Sequence, residues 1–418
     1  MSKPVGWEVT TFGSLNLFET KTIDPASYPD EPFELYSVPA FPARKPERVL
    51  GSTVGSTKQL VAPGDVLVCK INPRINRVWH VGPSCGERQV ASSEWIGFSA
   101  PGHDARYFQR YFASPAFREL ICADVTGVGG SLTRAQPKRV AEFPVPVAPA
   151  TEQRRIADKL DTVLSRVDAV NDRLARVAPL LKRFRQSVLA AATSGRLTEE
   201  WRVSRNLADP KMVSLGDVIR VSSGDGLTAK EMRTGSVPVF GGNGINGYHD
   251  TGNIAEPKVL IGRVGYYCGS VHLTPPAAWV TDNALIVRFD EQVVSRDFLY
   301  YGLRGTDLRQ NTASTAQPVI SGQKIYPLPF SLPVPADQAE IVRRVELLFA
   351  YADRLEARLQ AAQTAAQRLT PALLAKAFRG ELVPQDPNDE PASELLKRLA
   401  ASRETAPKAK RGRAAVKT

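Results

Sequence analysis

The chain has few residues of the types that build disulfide frameworks, metal centres or membrane spans. It contains four cysteines, four histidines and three methionines in 418 residues. Cys69, Cys85, Cys122 and Cys268 show no CxxC or other metal-ligand spacing, which favours thiols in a reducing compartment. No apolar run reaches roughly 18 residues and the N-terminus lacks a signal-peptide core, so we expect a soluble, cytoplasmic protein outside the membrane.

The sequence also lacks the short motifs of several nucleic-acid enzymes. Residues 51–58 only partly match the GxxxxGK[ST] phosphate loop, and the Asn-Pro-Pro-Tyr or Asn-Pro-Pro-Phe motif of adenine methyltransferases does not occur. The 35 residues after Pro29-Asp30 contain no acidic-x-Lys triplet that would complete a nuclease metal site. These absences favour a binding module. A self-sufficient nucleic-acid-modifying enzyme is the alternative, because active sites can be assembled from residues distant in sequence.

The charge balance indicates a polyanionic partner. Fifty-four Lys and Arg against 43 Asp and Glu give a net charge of +11 and an isoelectric point near 9.5. The length predicts more than one domain, since single cores stop growing at roughly 250–300 residues. With 43% hydrophobic residues, most of the chain can bury a core.

The most informative feature is an internal repeat of helical sequence. Residues 140–197 align without a gap to residues 325–382 at a constant offset, since 341 − 156 = 185 and 380 − 195 = 185. Apolar residues in both copies are spaced alternately four and three apart, which predicts two heptad seams that pair with each other. The main helix-pairing residues are Ile156, Leu160, Val163, Val167, Val170, Leu174, Ile341, Val345, Leu348, Leu355 and Leu359.

Local signals predict where these helices begin and end. Thr151 and Asp337 occupy expected N-cap positions, and Gly195 and Gly380 occupy expected left-handed C-terminal positions. At about 1.5 Å per residue, a helix over 152–194 would span roughly 65 Å, which is typical of a spacer. Pro179 predicts a kink rather than a break. Ordinary amphipathic core helices are the alternative.

The repeat divides the chain into two mixed domains and two helices. We predict an α+β fold with two α/β-mixed domains, two long antiparallel coiled-coil helices and a pseudo-two-fold internal repeat. The boundaries are 1–150 for the first domain, 151–201 for the first helix, 207–335 for the second domain, 336–383 for the second helix and 384–418 for a basic, disordered tail.

Loops rich in arginine and amides are the candidate DNA contacts, with ordinary solvated loops as the alternative. Arg suits guanine edges, Asn suits adenine edges and Lys suits phosphates, while glycines permit close backbone approach. The candidate DNA-binding residues are Lys70, Asn72, Arg74, Asn76, Arg77, Ser131, Thr133, Arg134, Lys138, Asn243, Asn246, Tyr248, Arg263, Tyr266, Ser314, Thr315, Gln317 and Lys324. A coiled-coil scaffold without nucleic acid is a third hypothesis, which salt-dependent DNA binding would exclude.

The repeated architecture resembles the specificity subunit of type I restriction-modification systems across residues 1 to about 383. The resemblance is carried by the helix starts, 150–156 and 336–341, and by the helix ends, 187–197 and 373–382. The second end is similar to the family pattern Leu-x-x-Ala-Phe-x-Gly-x-Leu. The first end departs from it, with Thr193 where the second has Phe378.

The resemblance implies a non-catalytic subunit that binds double-stranded DNA. Each mixed domain would act as a target recognition domain for one half of a bipartite asymmetric site, and the helices would set the spacing. Two methyltransferase subunits would bind S-adenosylmethionine and flip and methylate the target adenines, so no cofactor is expected in this chain. Motor-nuclease subunits would join for restriction.

Overall fold

A computed structural model describes residues 4–123, 125–126, 133–311 and 318–405 of the chain. Two compact units divide it: Met1–Asp172 with Gln363–Thr418, and Arg173–Ala362. Each unit contains one mixed domain and parts of both long helices, which confirms the predicted α+β fold class. Among the described residues, no helix is long and apolar enough to cross a bilayer.

The first mixed domain is built from short strands around an aromatic core. Its helices are α1 (Phe12–Leu15), α2 (Ala105–Phe112), α3 (Pro115–Ala123) and α4 (Pro137–Val140). Its strands are β1 (Glu8–Thr11), β2 (Thr22–Ile23), β3 (Pro32–Tyr36), β4 (Glu47–Leu50), β5 (Lys58–Leu60), β6 (Val66–Cys69), β7 (Val78–His80), β8 (Arg88–Ala91), β9 (Trp95–Phe98), β10 (Val125–Thr126), β11 (Arg134–Ala135) and β12 (Pro144–Val147). They form a five-stranded sheet, β2-β5-β8-β3-β4, a three-stranded sheet, β7-β6-β9, and two antiparallel pairs, β1-β12 and β10-β11.

Residues 105–123 form the pair of helices α2 and α3 rather than one continuous helix. Pro115 begins the second helix, because proline lacks the amide that an interior position would need. Both helices bury aromatic rings, and Phe12, Phe98 and Phe112 lie 4.9–5.1 Å apart between centroids.

The first long helix, α5 (Ala150–Thr193), contains 44 residues and is followed by α6 (Glu199–Ser204). The second mixed domain then contains β13 (Lys211–Ser214), α7 (Leu215–Val218), β14 (Ile219–Ser223), β15 (Val237–Gly241), β16 (Gly244–His249), β17 (Val259–Gly262), β18 (Val271–Leu273), β19 (Trp279–Val280), β20 (Ala284–Phe289), α8 (Arg296–Gly305), α9 (Gly322–Ile325) and β21 (Pro329–Leu332). Its sheets are β14-β20-β17-β18 and β16-β15-β19, with β13 paired to β21. The second long helix, α10 (Pro335–Ala377), contains 43 residues, and α11 is Ala392–Thr405.

Antiparallel pairing of α5 and α10 follows from the cores of the separate units. In the first unit, residues 156–164 of α5 share a core with residues 374–377 of α10. In the second unit, residues 188–192 of α5 share a core with residues 341–345 of α10. The start of each helix therefore meets the end of the other.

The predicted seam residues differ in burial. Val170 is 44% exposed, whereas Leu164, outside the predicted seam, is buried. A straight helix repeats every 3.6 residues and drifts from a 3.5-residue seam, so its buried face moves to neighbouring positions. Ile156, Leu160, Val167, Ile341, Val345 and Leu359 are buried, and Val163, Leu174, Leu348 and Leu355 are partly buried.

The helix ends agree with the sequence signals better than the helix starts. Gly195 and Gly380 both have a φ of 74°, as predicted for left-handed C-terminal positions. The N-cap prediction for Thr151 and Asp337 is wrong, because the helices already begin at Ala150 and Pro335. Thr151 instead donates its hydroxyl hydrogen to Asp389. Both helices continue through their internal prolines.

The predicted disordered tail is wrong over Ala392–Thr405, which forms α11. Ala392, Leu395 and Leu399 are buried, and Ala392 and Leu399 belong to the core of the first unit. The backbone amide of Ala392 also donates to the carbonyl oxygen of Gly6 at 2.8 Å. A few leucines at helical spacing therefore suffice to order this segment. The rest of the predicted basic tail, residues 406–418, lies outside the described residues.

Candidate DNA interface

The first tip loop, defined as residues 70–77, joins β6 to β7. Its centre is a 3₁₀ turn over Pro73–Ile75. Asn72 and Asn76 flank the turn with φ values of 46° and 50°. Asparagine adopts this left-handed conformation more readily than most residues, so both residues shape the turn as well as being candidate base contacts.

Backbone hydrogen bonds join the first tip loop to β11 in the same unit. The amide of Asn72 donates to the carbonyl oxygen of Thr133 at 2.8 Å. The amide of Ala135 donates to the carbonyl oxygen of Lys70, also at 2.8 Å. Two candidate segments that are about 60 residues apart in sequence therefore form one surface, a separation that loop closure tolerates.

The cations of this surface differ in how available they are to DNA. Arg74 and Lys138 are exposed. Arg134 forms an ion pair with Glu94 at 3.1 Å, and the guanidinium of Arg77 donates to a loop carbonyl at 3.4 Å. Phosphates can therefore contact Arg74 and Lys138 without displacing these protein contacts, whereas Arg134 would exchange a carboxylate for a phosphate.

The second tip loop, residues 263–270, joins β17 to β18 in the second unit. Its Arg263 carbonyl oxygen accepts a hydrogen bond from the amide of Ile320 at 2.8 Å. The Lys324 ammonium donates to the carbonyl oxygen of Val319 at 2.6 Å. Both candidates, Arg263 and Lys324, therefore form hydrogen bonds with the backbone of residues 319–320.

The two tip loops are held in equivalent ways. Ile71 and Arg134 form an isolated antiparallel bridge in the first unit, and Val264 and Val319 form one in the second. Arg134 and Val319, the later residue of each bridge, are separated by the repeat offset, since 319 − 134 = 185. The repeat therefore extends beyond the long helices to the contact that positions each tip loop.

A hairpin of β15 and β16 packs beside the second tip loop. The hydroxyl of Ser270 donates to the carbonyl oxygen of Gly242 at 2.7 Å. A Cβ at Gly262 would lie 2.2 Å from that same oxygen, so only glycine permits this approach. The hairpin exposes three candidate side chains: Asn243, Asn246 and Tyr248.

Two more candidates lie on the second tip loop itself. The Arg263 guanidinium donates to Ser223 Oγ at 3.2 Å and to the carbonyl oxygen of Asp282 at 3.3 Å. Tyr266 is 81% exposed. Ser131, Ser314, Thr315 and Gln317 lie outside the described residues.

A buried glutamine, to which the sequence assigned no role, attaches the first mixed domain to α5. Gln153 Oε1 accepts from the amide of Asp104, the N-cap of α2, at 3.1 Å. Its Nε2 donates to the carbonyl oxygen of Ala148 at 2.8 Å and bonds to His103 Nδ1 at 3.0 Å. This amide fixes α2 against the first turn of the long helix.

Gln338 makes the equivalent contacts in the second unit, and 338 − 153 = 185. Its Oε1 accepts from the amide of Ser295, the N-cap of α8, at 2.8 Å. Its Nε2 donates to the carbonyl oxygens of Val293 at 2.9 Å and Pro333 at 3.0 Å. Both copies of the repeat carry glutamine at this position, Gln153 and Gln338, and this shared residue is the sequence signal for the contact.

Each preceding residue is a buried acid with a different partner. Glu152 Oε2 accepts from the Trp7 indole at 3.0 Å, and burial raises the pKa of Glu152. Asp337, at the equivalent position, pairs with the buried guanidinium of Arg202 at 3.4 Å. The buried acid therefore bonds to a neutral indole in the first unit and to a cationic guanidinium in the second.

Comparison with known proteins relates this arrangement to one family. The family model of the type I restriction modification DNA specificity domain matches residues 208–362. The StySPI specificity subunit of Salmonella potsdam is 32% identical over 348 residues, which cover 71% of each chain. The EcoKI specificity subunit of Escherichia coli strain K12 is 29% identical over 358 residues, covering 77% of this chain and 75% of the relative.

Solved structures share the fold. A chain from a type I restriction-modification system aligns with a TM-score of 0.70 at 18% identity, over 91% of this chain and all of the other. The HsdS subunit of Thermoanaerobacter tengcongensis aligns with a TM-score of 0.62 at 20% identity, over 91% and 99%. Together with the repeated frame and the sequence relatives, these matches show that the chain belongs to the family of type I restriction-modification DNA specificity subunits.

Proposed function

We propose that each mixed domain of this chain reads one half of a bipartite, asymmetric DNA site. The observation that carries the proposal is the pair of tip loops, which are built from different residues but held by equivalent bridges whose later partners, Arg134 and Val319, are separated by the repeat offset. Asn-Pro-Arg-Ile stands in the first loop where Gly-Tyr-Tyr stands in the second. Equivalent positioning with different side chains suits two different target sequences.

The long helices would set the distance between the half-sites. At about 1.5 Å per residue, the 44 residues of α5 measure about 66 Å, more than one ~34 Å turn of DNA. The net charge of +11 supports phosphate contacts that strengthen binding at low salt without selecting a sequence. Sequence selection would come from a few contacts to base edges.

Chemistry would belong to the partners of this non-catalytic subunit. Two methyltransferase subunits would bind S-adenosylmethionine and methylate adenine N6, and motor-nuclease subunits would join for restriction. A target adenine must leave the duplex before it can be methylated, and this step also falls to the methyltransferases. We propose a cytoplasmic location for the chain, where its DNA and these partners would be found.

The first experiment is methylome sequencing of a host that expresses the chain with its methyltransferase, beside a host that expresses the methyltransferase alone. A split, asymmetric N6-methyladenine motif that requires the chain supports the proposal. Absence of any new motif with an active methyltransferase contradicts it. Methyl transfer by the purified chain would favour a self-sufficient enzyme.

A domain exchange tests whether recognition is modular. Replacing residues 1–150 by the corresponding domain of a relative should change one half of the methylated motif and leave the other unchanged. A change in both halves would contradict independent reading by the two domains.

A further inference from the structure

We propose that Tyr266 inserts its ring into the base stack of the second half-site, next to the adenine that the methyltransferase flips out. This inference rests on the proposed function, because it specifies how one recognition domain contacts DNA. It assigns Tyr266 a stacking contact rather than a hydrogen bond to a base edge or a phosphate.

The first observation is the exposure of the ring. Tyr266 is 81% exposed, the largest value among the exposed large apolar side chains of the described ranges. The adjacent Tyr267 is 52% exposed, with its ring edge-on to Tyr266 at 5.0 Å between centroids. Two neighbouring aromatic rings on a loop tip form an apolar patch that is typical of a binding surface.

The second observation is that this tip is tightly held. The amide of Gly265 donates to Pro318 at 3.2 Å, and the amide of Cys268 donates back to Gly265 at 3.0 Å. The amide of Ser270 donates to Tyr267 at 3.0 Å, which closes the turn, and the Cys268 side chain is buried below it. The loop is therefore ordered while its largest ring stays in solvent, so binding need not order the backbone first.

The third observation is the charge around the tip. Arg263 begins the loop, and the Lys324 ammonium bonds the segment paired with it. The side-chain carbon Cγ of Arg309 would lie 3.1 Å from a Cβ at Gly269, so the aliphatic part of a third cationic side chain lies beside the loop. Aromatic rings among cations are the combination by which proteins bind unstacked bases along a phosphate backbone.

These features suit the step that the methyltransferase must perform. Extruding an adenine breaks its stacking with both neighbouring base pairs and leaves their faces exposed. A tyrosine ring can stack on one such face, as apolar side chains do when they enter a base step and open it. The inserted ring would offset part of the unstacking cost only while the base is out of the helix.

The test compares Tyr266→Ala and Tyr266→Phe in the complex with the methyltransferase, on duplexes that carry the bipartite motif. Methylation rates are measured separately for the two half-sites. Tyr266→Ala should slow the second half-site about ten-fold or more, and Tyr266→Phe should stay close to wild type because it keeps the ring. The first half-site is the internal control for folding and assembly, and Tyr28→Ala, an exposed tyrosine of the first unit, is the matched control variant.

A mismatch opposite the target adenine separates stacking from other contacts. Because a mismatched base is already partly unstacked, it should restore most of the rate lost by Tyr266→Ala in the second half-site. Equal losses on matched and mismatched duplexes, or no loss at all, would overturn the stacking role. If the wild-type chain directs no methylation, the proposed function falls and this inference falls with it; normal wild-type methylation with an unimpaired alanine variant overturns the inference alone.

Discussion

Replacing Gln338 by alanine should loosen α8 from the start of α10 without affecting the first unit. The side chain is 1% exposed and makes three hydrogen bonds, to the amide of Ser295 and to the carbonyl oxygens of Val293 and Pro333. At about 1 kcal/mol for each bond, the loss is about 2–4 kcal/mol. That range corresponds to about 30- to 900-fold faster exchange of amides protected by this contact.

Hydrogen exchange followed by mass spectrometry measures this effect locally. Peptides that cover Arg296–Gly305 should exchange faster, while peptides that cover Ala105–Phe112 should be unchanged. Gln153→Ala should produce the reverse pattern, and Gln186→Ala, an exposed glutamine on α5, should change neither. Uniform acceleration over both units, or no acceleration in α8, would refute the attachment role assigned to Gln338.

Four further substitutions test the candidate surface and two buried positions. Arg74→Ala and Lys138→Ala should each reduce the slope of log K against log salt by about 1 in DNA titrations, and an unchanged slope would exclude phosphate contacts. Because burial raises the pKa of Glu152, its contribution to stability should be present below pH 4.5 and should be lost as pH rises through the raised pKa. Glu152→Gln keeps an acceptor for Trp7 but does not titrate, so thermal melts from pH 4 to 7 should show a smaller loss than in the wild type. Gly262→Ala should destabilise the second unit by roughly 1–3 kcal/mol in urea unfolding, since its Cβ would clash with a carbonyl oxygen; an unchanged midpoint would contradict this close approach.

The long helices could be predicted from sequence because their signals are local. Apolar spacing and a constant offset identified α5 and α10, and the C-terminal glycines followed from the need for a left-handed residue. The helix starts were less predictable. Thr151 and Asp337 are residues that favour N-caps, yet contacts with Asp389 and Arg202 place them inside the first turn.

The candidate interface depends on contacts that a local pattern does not encode. The composition of residues 70–77 and 133–138 suggested DNA binding separately, but their adjacency results from hydrogen bonds between β11 and the first tip loop. The role of Gln153 likewise depends on where α2 begins. The overall polarity of the tail conceals helix α11, whose local signal is the four-residue spacing of the buried Leu395 and Leu399.

The two tip loops differ in sequence, whereas the contacts that hold them are equivalent. This difference explains how one architecture can serve two targets. The bridges of both tip loops and the contacts of Gln153 and Gln338 use mainly backbone amides and carbonyls as partners. Backbone groups are present whatever side chains the loops carry, so substitutions at exposed tip positions leave the supports of the loop intact. Recognition can therefore diverge between the two halves of the chain while the repeat offset of 185 residues is retained in the elements that position them.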